Sequence, residues 1–70
     1  MEGLERFLGK RVKLTAKDGR EYVGTVDQFY SNTDNGGEGE SIDVYLDNKP
    51  FMPKEFKAED IVNAEMILGK

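Results

Sequence analysis

The chain has no cysteine, no histidine and no tryptophan, and only two prolines in 70 residues. Without cysteine there is no disulfide, and without cysteine or histidine there is no Cys/His zinc site. The same absences remove Ser-His-Asp and Cys-His catalysis, and any imidazole base near neutral pH. Carboxylates are left for acid–base work, but they need a pocket that shifts their pKa, which so small a domain rarely has. No enzymatic activity and no cofactor are therefore expected. No apolar run approaches the ~20 residues of a membrane span. The first residues carry Glu2, Glu5 and Arg6 where a signal peptide would be apolar, so a cytoplasmic location is expected.

What is present suits one small folded domain, residues 1–70. Apolar residues make up 37% and charged residues 34%, and seven aromatics argue against disorder. A core this thin leaves stability marginal, so a well-packed sheet or self-assembly is expected to supply the rest. The net charge of −4 is not the basic footprint typical of nucleic-acid binders. Its distribution is uneven. Residues 1–20 sum to +3, residues 21–47 to −7 with no basic group at all, and residues 48–70 to zero.

Periodicity assigns the elements. Leu4, Phe7 and Leu8 form one apolar stripe over 3–9, a short helix that Gly9 would end. Residues 11–17 alternate, with Val12, Leu14 and Ala16 on one face and Arg11, Lys13, Thr15 and Lys17 on the other, as in a half-buried strand. Asp18-Gly19 then signals a hairpin into a strand from about 20 to 30. A two-residue loop would set Leu14 against Val23 and Ala16 against Glu21. A three-residue loop with a glycine bulge sets Leu14 against Tyr22 and Val12 against Gly24. The second is preferred because it keeps Glu21 outside. Gly24 then marks the bend of a curved strand.

Residues 32–40 carry three glycines and read as a mobile acidic loop. Asn32 to Asp43 can be overlaid on a calcium-binding loop, with Asp34, Gly37 and Asp43 at positions 3, 6 and 12, but Gly39 stands where an apolar residue belongs and no helices flank it, which argues against calcium. Residues 41–47 alternate again, with Ile42, Val44 and Leu46 inward. Asn48-Lys49-Pro50 reads as a turn, and Pro53 confines regular pairing to a short edge strand at 54–57. Ala58-Glu59-Asp60 reads as a 3₁₀ turn before a last strand at 61–67. The fold expected is mainly β: a small, strongly bent, five-stranded antiparallel barrel with a short N-terminal helix.

This layout resembles the Sm-like small β-barrel, a relative of SH3-like barrels, over nearly the whole chain. The resemblance is carried by residues 12–26, with the Lys17-Asp18-Gly19-Arg20 turn, Tyr22 and Gly24 placed as in the first half of an Sm domain. Phe56-Lys57-Ala58-Glu59-Asp60-Ile61 is similar to that family's second motif, Ile-Arg-Gly-x-Asn-Ile, with Lys57 in the place of the arginine. The chain also looks like short Sm-like proteins of Gram-positive bacteria and their phages, with an acidic Asp-Asn loop before strand three. The resemblance implies an RNA-binding or RNA-chaperone module, assembled through strands 54–57 and 61–67. The Asp and Asn that read uridine in this family fall on Tyr30 and Asp34 here, so that pocket does not carry over.

Two functional readings follow. In the first, Lys13, Lys17, Arg20 and Lys57 meet phosphate and Tyr30 supplies a stacking surface for RNA. In the second, the domain is a protein-interaction module, an adaptor or small inhibitor, whose acidic loop with Asp34, Glu38 and Glu40 binds a basic protein surface.

Overall fold

A computed structural model describes residues 3–68. Five strands form one antiparallel sheet: β1 (Arg11–Ala16), β2 (Glu21–Tyr30), β3 (Ser41–Leu46), β4 (Lys49–Lys57) and β5 (Ile61–Met66). Their order is β4-β3-β2-β1-β5, so β4 and β5 are the two edges, and they do not pair with each other. The sheet is strongly curved but not closed by hydrogen bonds into a barrel. Tyr22 on β2 and Phe56 on β4 are separated by β3, yet their rings meet edge to face with centroids 5.1 Å apart. Such contact across an intervening strand requires the inner face to curl.

The first hairpin has the three-residue loop Lys17-Asp18-Gly19. Leu14 pairs with Tyr22 and Val12 with Gly24. Gly19 sits at φ 89°, and the Ala16 amide donates to the Arg20 carbonyl at 2.8 Å to close the bulge. The register turns Leu14, Val12, Gly24 and Val26 into the core and leaves Glu21 exposed.

A second irregularity decides the outer surface. Val26 pairs with Val44 but Gln28 with Asp43, so Asp27 is an extra residue on β2. The inward set therefore changes parity: Tyr22, Gly24 and Val26 before the bulge, Phe29 after it. Phe29 packs against the core, and Tyr30 is turned to the opposite face.

Three expectations are corrected. The N-terminal helix is a 3₁₀ helix over Leu4–Phe7, in which residues three apart eclipse. Leu4 and Phe7 are therefore buried, while Leu8 falls outside the element and is 45% exposed. Secondly, β4 begins at Lys49, and the turn is Asp47-Asn48. Both prolines lie in this edge strand, where a missing N–H breaks no ladder. Leu46 pairs with Lys49 but Val44 with Lys54, so residues 50–53 bulge out opposite Tyr45.

The third concerns the 31–40 segment, which is folded rather than loose. Ser31 and Asp34 exchange reciprocal hydrogen bonds, Ser31 N–H to Asp34 Oδ2 at 3.2 Å and Asp34 N–H to Ser31 Oγ at 3.1 Å. Asn32 Oδ1 accepts from the Gly39 amide at 2.6 Å, and Asn35 Nδ2 donates to the Gly39 carbonyl at 2.7 Å and to Ser41 Oγ at 3.1 Å. Gly36, Gly37 and Gly39 all have positive φ, so these glycines serve turn geometry that a side chain would strain. The loop closes over Ser41, which is 1% exposed and satisfied.

Candidate interaction face

The four cations of the first hairpin all have carboxylate partners. Arg11 pairs with Asp47, Lys13 with Glu21 at 3.5 Å, Lys17 with Asp60 at 3.1 Å and Arg20 with Asp18 at 3.8 Å. These are exposed pairs of small energetic worth. Asp60 raises the pKa of Lys17, by its hydrogen bond first and its charge second. The expected phosphate stripe is thus a row of ion pairs. Lys54 reaches over the Tyr22 and Phe56 rings, 5.9 and 5.6 Å from their centroids.

The outer face of β2, β3 and β4 has the opposite character. Asp43 pairs in register with Glu55 on β4 and with Gln28 on β2, and the bulge presents Asp27 beside them. The Tyr30 hydroxyl donates to Asp43 Oδ2 at 3.3 Å. Its pKa is pushed above the usual 10.0, chiefly by the charge on Asp43, then by desolvation and that hydrogen bond, then by Asp27 and Glu55. Three carboxylates from three adjacent strands therefore act on one phenol.

The acidic-loop residues part company. Asp34 is engaged with Ser31. Glu40 is half-buried, and its Oε1 accepts the Leu4 amide at 3.1 Å, which ties the N-terminal helix to β3. Asp34 and Glu38 are both exposed, and Glu38 lies beside the acidic strands. It lines a shallow cavity of about 200 Å³ with Asn35, Gly39, Glu55 and Lys57. That volume is below the ~300 Å³ at which small-molecule sites begin. Lys57 is the one member of the phosphate set to lie among acids on this face.

Sequence reasoning did not single out Asp27, Asp43 and Glu55. Two of them were visible as part of the acidic middle, but their convergence depends on the bulge at Asp27 and on the β3–β4 register. Also unforeseen were the bare apolar side chains at the edges. Phe51 is 92% and Met52 75% exposed on the β4 bulge, and Val62 and Leu68 are 59% and 86% exposed along and beyond β5. No protein-family model, curated protein or solved structure matches the chain.

Proposed function

We propose that this chain is a small Sm-like barrel module that works by binding a basic protein surface through the outer face of β2, β3 and β4. The observation that carries the reading is the convergence of Asp27, Asp43 and Glu55 around Tyr30, set against a first hairpin whose cations are already paired. Negative charge around the half-buried Tyr30 gives a partner both steering and an anchor. The curl that brings Tyr22 onto Phe56 supports the barrel reading.

Self-assembly accompanies this role. The edges β4 and β5 are open and carry exposed apolar side chains. Their net charges are complementary: Lys49, Lys54 and Lys57 outnumber Glu55 on β4, and Glu59 and Glu65 lie in and beside β5. Head-to-tail pairing of 54–57 with 61–67 would cover both.

Fluorescence anisotropy with a labelled arginine-rich peptide and a labelled oligouridine RNA tests the function. The peptide should bind, and Asp43→Asn with Glu55→Gln should weaken it about tenfold, whereas Glu59→Gln with Glu65→Gln should not. RNA binding that is lost on charge reversal at Lys13 and Lys17 would replace this reading with the RNA-binding one. Light scattering on the eluting protein gives the assembly state, and a monomer at all concentrations would remove the edge pairing.

A further inference from the structure

We propose that Asn35-Gly36 is a deamidation site held shut by the fold of its own loop, so that its conversion records loop opening and then makes it permanent. Of the four asparagines, at positions 32, 35, 48 and 63, only Asn35 precedes a glycine. Glycine has no Cβ to hinder attack by its own backbone nitrogen. In the reaction the Gly36 nitrogen gives up its proton and bonds to Asn35 Cγ. The Cγ–Nδ2 bond breaks, and Nδ2 leaves as ammonia. Water then opens the cyclic imide at either carbonyl, leaving aspartate or isoaspartate. No oxidant or cofactor takes part.

In the folded loop both reacting groups are occupied. The Gly36 N–H donates to the Thr33 carbonyl at 3.1 Å. The departing nitrogen, Asn35 Nδ2, donates to the Gly39 carbonyl at 2.7 Å and to Ser41 Oγ at 3.1 Å. The Gly39 carbonyl can only accept, so it fixes which end of the amide faces it. Attack therefore requires these contacts to break first, and the rate follows the population of the opened loop.

The product cannot restore them. A carboxylate has no hydrogen to donate, so at position 35 it sets oxygen against the Gly39 carbonyl oxygen. Isoaspartate also lengthens the main chain, which displaces the turn bonds from Asn35 to Ser31 and from Gly37 to Asn32. Ser41 then loses its cover. One further negative charge appears beside Glu38 and Glu55, on the rim of the cavity they share. This inference does not depend on what the acidic face binds.

The test is peptide mapping of the full chain incubated at mildly alkaline pH, in buffer and in urea. Asn35 should convert in urea to a mixture of aspartate and isoaspartate, and about tenfold or more slowly in buffer. Ser41→Ala removes one of the two acceptors and should raise the rate in buffer while leaving the rate in urea unchanged. Equal rates for the wild type in buffer and urea would overturn the proposal without any variant. For the second half, Asn35→Asp, checked for native circular dichroism, should deprotect the Gly37 and Gly39 amides to hydrogen exchange. Undiminished protection there would refute the claim that the product cannot close.

Discussion

A single methyl group at Gly24 should remove a large share of this domain's stability. A Cβ built there would lie 2.8 Å from Val44 Cγ1 and 2.9 Å from Leu46 Cα, and closer still to the Tyr45 carbonyl oxygen. Two of these three atoms are β3 backbone, which no rotamer change can move aside. Overpacking that side chains can absorb costs about 1–3 kcal/mol, and a clash with backbone belongs at or above the top of that range. A domain of this size has about 4–10 kcal/mol in total. A loss of ~3 kcal/mol corresponds to a fall in melting temperature of roughly 12–24 °C. It also moves the urea midpoint down by about 3 M for a slope near 1 kcal/mol/M. Urea unfolding of Gly24→Ala followed by circular dichroism reads this directly. Thr25→Ala, one residue along and half-buried, is the control and should cost no more than ~1 kcal/mol. A Gly24→Ala midpoint within about 0.5 M of wild type would refute the argument that β3 approaches β2 too closely for any side chain.

Three further outcomes follow. Glu40→Ala leaves the Leu4 amide without its acceptor, and should cost about 1 kcal/mol with faster hydrogen exchange at that amide. The Tyr30 pKa is raised on folding, so this phenol's contribution to stability is whole below pH 10 and fades as pH climbs through the folded value. NMR titration should place its ionisation above 10.0, and Asp43→Asn should bring it down and shrink the alkaline loss of stability. Phe51→Ser with Met52→Ser removes only exposed apolar surface. It should leave monomer stability within about 0.5 kcal/mol while weakening any self-association seen by sedimentation.

The strands were legible because their inward residues alternate without interruption. Val12 and Leu14, then Ile42, Val44 and Leu46, each read as one face, and the need to keep Glu21 outside chose between the two registers that Asp18-Gly19 allows. Reading failed where the ladder slips. The extra residue at Asp27 reverses the face of everything after it, and nothing in Val26-Asp27-Gln28 announces that. Prolines at 50 and 53 look like strand breakers unless the strand is known to be an edge, and that is a property of the whole sheet. In the sequence the glycines of the 32–40 segment read as freedom, although their positive φ angles are what its hydrogen bonds require. Charge was legible only in part for a similar reason. The basic hairpin is real in sequence, but each cation meets an acid that lies elsewhere in the chain or across the turn.

Pro50 and Pro53 have a consequence for aggregation. An open edge strand nine residues long is a template on which further chains can stack into fibrils. Two missing N–H groups and a bulge interrupt that template between Lys49 and Lys54, and lysines flank the gap. Only the 54–57 stretch keeps an unbroken run of donors and acceptors. The prolines act as gatekeepers, denying an incoming strand the continuous ladder along β4 that amyloid growth needs.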